Sequence, residues 1–284
     1  MTRNSVASQF PLISHVNGDG DILEAWFKYY LQLGVDRFYL VVHGSKEDNA
    51  RLFELERRYP VQIEEKYQGV FDVEEKKKRL DAVLARMSGK WVMLVDSDEF
   101  VELPYPGIAK TAKMLELEGA NTLFAPMIQR LNSEGSLIST EVIESPFSTF
   151  PLCSADLYEK MGVTASIYKY PLFYCNAATR LQEGGNHHSP NWDDTVLSSL
   201  LGVTHHFKFR RSVLRRLDAR IHSPHPWRHE SVLFEKYLEE HSNRLPTEGS
   251  FVYSRSELFR RKYLRKFSAL QLARVTARSF WKAK

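Results

Sequence analysis

Apolar and polar positions fall into blocks along the first hundred residues, and the period changes from block to block. Leu12 to Val16 is a short apolar run that predicts a strand, and Asn17 to Asp21 (NGDGD) follows as a loop. Ile22, Trp26 and Tyr30 then recur at helical spacing, as do Leu23, Phe27 and Leu31, predicting an amphipathic helix that Gly34 closes. Arg37 to Val42 predicts a second strand, Asp48 to Arg58 a helix and Val61 to Glu65 a third strand. Val73 to Arg86 predicts a charged helix broken by Ser88 and Gly89, before the five apolar residues Trp91 to Val95. Strands and helices in strict alternation need crossover connections. The expectation is an α/β fold: a mostly parallel sheet with helices on both faces.

Beyond residue 100 the pattern loosens. Gly107 to Glu118 predicts a helix and Thr122 to Met127 a strand. Asn132 to Pro190, with scattered Pro, Ser and aromatic residues, reads as loops with short strands. Leu197 to Phe209 reads as one late strand. Val213, Leu214, Leu217 and Ile221 mark a helix, and Val232 to Glu240 belongs to another. The chain therefore divides into an α/β unit over residues 1–212 and a helical extension over 213–284 with a basic tail.

The fourth strand ends in Asp96, Ser97, Asp98 and Glu99. A strand buried on both faces has no room for three carboxylates, so the acids belong where the chain leaves the sheet. In open α/β sheets that carboxyl edge is where ligands bind. Crowded carboxylates repel unless a cation or hydrogen bonds compensate them. An Asp-x-Asp turn offers hard oxygen ligands to Mg²⁺ or Mn²⁺, which in turn hold phosphates. A solvated acidic turn after a strand would carry the same letters.

Composition narrows the class. A chain of 284 residues that is 43% hydrophobic and 12% aromatic supports a packed core and excludes a disordered protein. A net charge of +4 suits an anionic small substrate or an acidic membrane surface, and is too small to imply nucleic acid. Cys153 and Cys175 make neither a metal-site spacing nor a disulfide framework, which points to a reducing compartment, the cytoplasm. The N-terminus lacks the apolar stretch of a signal peptide, and no segment has the length of a transmembrane helix.

Three segments together resemble the family 2 and family 92 group of glycosyltransferases. They are DILEAWFKYYLQLGVDRFYLVVHGSKEDNARLFE, GKWVMLVDSDEFVELP, and the pair GGNHHSP and THHFKFRRS. The resemblance spans Pro11 to Ser212, and the DSDEF block is its most specific part. Two positions depart from the family pattern. Val42, His43 and Gly44 stand where relatives carry an Asp-Asn-type turn, and Asn17, Gly18 and Asp19 stand where relatives have Asn-Glu.

The resemblance implies a GT-A fold, a nucleotide-diphosphate sugar as donor with a UDP-sugar as first choice, and Mn²⁺ or Mg²⁺ as Lewis acid on the diphosphate. It assigns Asp98 to the metal, and Asp96 to the donor ribose or to the metal through water. His206 would complete the site, with His205 next and His188, beside His187, as rival. Asn17 and Asp19 fall on the donor side. Lys78, Arg79, Lys169 and Arg210 are the candidates for the donor phosphates, with Arg180, Lys208 and Arg211 behind them. For Lys76 to Arg79 as a block, a solvated helix face is the competing reading. An inverting enzyme needs a general base, for which Glu183 is preferred over Asp193 and Asp194. Trp192 and Trp227 are candidates to stack on sugar rings. The unclear stretch, about 132–192, would be the acceptor-side insertion, and the acceptor a saccharide or glycolipid.

In the tail, Arg260, Arg261, Lys262, Arg265 and Lys266 alternate with apolar residues. A basic amphipathic helix of this kind lies on anionic membranes, here the inner face, and an ordinary packed surface helix is the alternative. Two other functions fit the same residues: metal-dependent phosphoryl transfer or nuclease action, and nucleotide-sugar binding without catalysis. The chain has no GxxxxGK[ST] phosphate loop, which weakens a kinase or NTPase version.

Overall fold

The computed structural model describes residues 9–138, 142–163, 167–182, 186–191 and 193–260. The first half follows the expected alternation: β1 (Pro11–Val16), α1 (Leu23–Leu33), β2 (Arg37–His43), α2 (Ala50–Leu55), β3 (Val61–Tyr67), α3 (Val73–Leu84) and β4 (Trp91–Leu94). Then come β5 (Glu99–Glu102), α4 (Ile108–Leu117), β6 (Thr122–Leu131), α5 (Pro146–Thr149), β7 (Leu152–Ser154), α6 (Leu157–Lys160) and β8 (Tyr168–Tyr174). The chain continues through β9 (Leu197–Leu201), β10 (Val203–His206), α7 (Ser212–Ile221), α8 (Arg228–Glu240), β11 (Phe251–Val252) and α9 (Arg255–Arg260).

Strands β3, β2, β1 and β4 lie side by side and parallel. Their side chains alternate between two apolar layers, as the pleat requires. Leu12, Leu40, Val42 and Met93 join the layer of α1, α2 and α4, which contains Trp26, Phe27, Leu52 and Ile108. Ile13, Val41, Val92 and Leu94 join the opposite layer, with Leu80, Val83 and Leu84 of α3. Helices therefore cover both faces, and this is why the strands read as unbroken apolar runs. Gly34 ends α1 in a left-handed conformation (φ 100°), its N–H bonded to the Leu31 carbonyl.

The second half departs from a parallel sheet. β8 runs antiparallel between β4 and β6, making the sheet mixed around a parallel core. β8 falls in the stretch expected to hold loops and short strands, and it contains Pro171, which cannot donate to a ladder. The structure accommodates Pro171 where the β6–β8 register shifts between Leu123 and Ala125. β6 runs on to Leu131, past Gln129 and Arg130, which are polar yet buried. The single late strand is two, broken at Gly202. β9 pairs with the start of β6, and β10 pairs with its later part and with β5. A Cβ at Gly202 would stand 3.2 Å from Leu123 and 3.3 Å from Ala125 and the Glu102 carbonyl, so the crossing is tightly packed around this glycine.

Helices α7 and α8 pack on this half of the sheet. Val213, Leu217, Phe234 and Leu238 share an apolar cluster with Met127, Leu131, Tyr158 and Phe209. The basic tail from residue 261 onward lies outside the described residues. Among the described residues no helix is long and apolar enough to cross a membrane.

Candidate functional site

Parallel pairing of β1 with β4 sets the NGDGD loop beside the acid turn. Gly18 and Asp19 both adopt left-handed backbone (φ 75° and 57°), turning the loop sharply inward. Ser97 Oγ donates to Asp19 Oδ2 at 2.7 Å, joining the two loops. The Ser45–Asp48 turn after β2 closes on itself: Ser45 Oγ donates to Asp48 Oδ2 at 2.9 Å, and the Asp48 N–H donates to Ser45 Oγ at 3.1 Å. Asn49 ties it to the first loop, accepting from the Gly18 N–H and donating to the His43 carbonyl.

Cations from distant elements meet these acids. Lys76, on the inner face of α3, stands 3.0 Å from Asp96 Oδ1, and Lys169 of β8 stands 3.1 Å from Asp96 Oδ2. The same Lys169 is 2.8 Å from Glu99 Oε1. Glu99 is 2% exposed, and burial raises its carboxyl above the ordinary range despite Lys169. Burial alone would raise Asp96 too, but the two lysines outweigh it and hold it low. Asp98 Oδ2 lies 3.5 Å from His206 Nε2 and 3.5 Å from Arg216 Nη1. There too burial acts upward, and His206 and Arg216 win, keeping Asp98 well below the usual carboxylate range. Arg210 closes the corner from the far end of the chain, bonding Asp19 through Nη2 and Asp21 through Nε at 2.8 Å.

Glu99, His206 and Gln129 are register partners across β5, β10 and β6 and so share one sheet face, beside α7 and α8. Lys208, Arg216 and Arg220 add charge there. Lys208 Nζ sits 4.7 Å from the Phe234 ring centroid and 5.3 Å from that of Tyr158. Burial, then Arg220 and Arg216, push its ammonium down to about 7.

Several expected residues sit elsewhere. Lys78 is on the solvent face of α3 near Glu75, and Arg79 pairs with Glu65 and Glu75 while lying over Tyr67, so neither stands at the acid turn. Lys169 and Arg210, expected at phosphates, are instead internal struts, 3% and 0% exposed. Adjacent residues of a strand point to opposite faces, which separates the two histidines. His205 faces away from the acid turn toward Glu102, at 3.4 Å, while His206 faces Asp98. Asp193 and Asp194 are exposed beside Asn121, at the start of β6 and the opposite edge of the sheet. Asn17 contacts His43 Nδ1 at 3.1 Å. His187 Nδ1 lies 2.9 Å from the Tyr168 carbonyl, and His188 is half-buried next to it. Trp227 packs against Phe71 and beneath Arg220. Glu183 and Trp192 lie outside the described residues.

The arrangement does not suit the expected divalent cation. Both Asp96 oxygens already face lysines, Asp98 faces His206 and Arg216, and among the described residues no three His, Cys, Asp or Glu side chains gather as a ligand set. Glu99, legible in the sequence as an acid that orients local backbone or is structural, accepts from the Asp96 N–H at 3.2 Å; Gln129, Arg216 and Arg220 were not among the expected site residues. For the two arginines a signal existed: they are four residues apart on one helix face, and neither has an acid three or four residues away.

No protein-family model matches the chain, and no curated protein matches it. Among solved structures it is similar to S. aureus TarS residues 1–349 in complex with UDP-GlcNAc, at 11% identity and a TM-score of 0.36, over 85% of this chain and 74% of that one. It is also similar to the UDP-glucose pyrophosphorylase of Acinetobacter baumanii, at 10% identity and a TM-score of 0.35, over 82% and 99% of the two chains. A third is the 4-diphosphocytidyl-2C-methyl-D-erythritol synthase of Anaerococcus prevotii, at 12% identity and a TM-score of 0.28, over 91% and 96%.

Proposed function

We propose that the protein transfers a glycosyl group from a nucleotide-diphosphate sugar, a UDP-sugar first, to an acceptor hydroxyl of a saccharide or glycolipid. The observation that carries this reading is the acid turn at the carboxyl ends of β1 and β4, lined on one side by the cations Lys208, Arg216 and Arg220. Sugar and ribose hydroxyls need acceptors, and a diphosphate needs cations; both stand within one corner. Asp96, whose side chain keeps 32% of its surface open, would take ribose hydroxyls. Asp98 and His206 would orient the transferred sugar.

In the reaction the bond from the anomeric carbon to the β-phosphate oxygen breaks, and its electron pair leaves on that oxygen. A bond to the acceptor oxygen forms, and the hydroxyl proton goes to a general base. Glu183 remains the proposed base. It is three residues before Asn186, whose Nδ2 donates to the carbonyls of Leu94 at 3.0 Å and Tyr170 at 2.8 Å, at the site end of β4.

Thermal melting with UDP, GDP and CMP, each with and without Mn²⁺, tests the reading. At least one nucleotide should raise the midpoint, and the matching nucleotide sugar should be consumed when acceptor is present. No response to any nucleotide would overturn it. A response to polyanions alone, steeply salt-dependent, would favour nuclease or phosphoryl chemistry.

A further inference from the structure

The cations at this site exceed what its own acids use. Lys208 and Arg220 make no hydrogen bond or ion pair among the described residues: Lys208 faces the rings of Phe234, Tyr158 and Phe209, and Arg220 lies 5.3 Å over Trp227. Arg216 divides Nη1 between Asp19 at 3.2 Å and Asp98 at 3.5 Å, while its Nη2 is buried without a partner among the described residues. Two further polar groups are in the same state. Among the described residues, Gln129, 2% exposed, has no partner for either amide atom, and His206 Nδ1 has none as well.

Buried polar atoms are almost always bonded, because leaving one unmade costs about 1–3 kcal/mol. Holding like charges together adds to that cost. A cluster so arranged is compensated by an anion with several acceptor oxygens. The acids, by contrast, are already matched to lysine, arginine and histidine, and present no ligand set for a metal.

We propose that Lys208, Arg216 and Arg220 hold and neutralise the donor's diphosphate, in the role that a divalent cation plays in metal-dependent transferases. The proposal rests on the nucleotide-sugar reading above. The leaving nucleoside diphosphate gains a negative charge as the sugar–oxygen bond breaks, and three cations fixed beside it stabilise that charge without reorganisation. Lys208 supplies a point charge, its Nζ standing among the rings of Phe234, Tyr158 and Phe209. Arg216 and Arg220 project from α7 one turn apart and present forked donors.

Isothermal titration of the full chain with UDP and with GDP, in EDTA and again with Mn²⁺, tests this. At least one nucleotide should bind in EDTA, with affinity changed less than about threefold by Mn²⁺. Lys208→Met and Arg220→Met should each weaken it by about tenfold or more, Lys208→Arg should recover part, and Lys113→Met on α4, whose side chain is exposed, should leave it unchanged. Melting curves establish that each variant is folded. Binding that needs Mn²⁺ would overturn the clamp and leave the nucleotide-sugar reading standing. Binding in EDTA that survives both methionine substitutions would also overturn it. No binding under either condition would sink both.

Discussion

Lys169 Nζ stands 2.8 Å from a carboxylate oxygen of Glu99, and both side chains are sealed from solvent. The pair, with the second contact of Lys169 to Asp96, ties the acid turn to strand β8. Replacing Lys169 by Met should leave Asp96 with Lys76 alone and Glu99 without a cation. The expected loss is about 3–5 kcal/mol, read from urea unfolding. Adding Glu99→Gln to that variant should recover part of the loss, and strict additivity of the two changes would contradict the pairing.

Asp98 has a different task. Its carboxylate faces His206 and Arg216. Asp98→Ala and Asp98→Asn should each lower transfer by about 100-fold or more while far-ultraviolet circular dichroism stays native. Asn keeps the shape and loses the charge, so full activity in Asp98→Asn would remove the carboxylate from the chemistry.

Lys208 is a cation kept in an aromatic setting at a cost in stability. Lys208→Met keeps the volume and removes the buried charge, so it should raise the unfolding free energy at neutral pH by about 1 kcal/mol or more. A loss of stability on that substitution would mean that the ammonium has a partner worth more than its desolvation.

On the other sheet face Glu102 gathers His205 at 3.4 Å, Arg255 at 2.9 Å and the Tyr253 hydroxyl. Burial pushes its carboxyl up, but these donors prevail and bring it down to about 2. A carboxyl lowered on folding stabilises the native state at pH above its unfolded value, and that stability is lost as pH falls toward 2. His205 adds a separate window. Burial lowers it to about 4, so the unfolded chain binds more protons between about 6.5 and 4, and stability falls with pH there too. Glu102→Gln should flatten the acid limb between about pH 4.5 and 2, by about 1–2 kcal/mol after allowing for its partial exposure, in melts taken across that range.

The parallel core was legible because its chemistry is local. Trp91 to Val95 and Leu40 to Val42 are buried on both faces and say so by composition, and α1 announces itself by period. The DSDE turn was visible for the same reason: three acids directly after an apolar run have one place to go. The rest depends on partners far apart in sequence. Lys169 reads as a candidate phosphate ligand until β8 pairs with β4 and brings it to Asp96 and Glu99. Arg210 reads as a phosphate ligand until Asp19 and Asp21 claim it. The choice between His205 and His206 is one of strand register, and only the pairing of His206 with Glu99 and Gln129 settles which imidazole faces the acids.

The central claim is that a nucleotide's diphosphate lies between the acid turn and the cations Lys208, Arg216 and Arg220. A crystal structure of the protein grown with UDP and EDTA tests it most directly. The account predicts phosphate oxygens within about 3 Å of Lys208 Nζ and of the Arg216 or Arg220 guanidinium, with Asp98 adjacent. UDP bound away from these residues, or phosphates reached only through an added Mn²⁺, would contradict it.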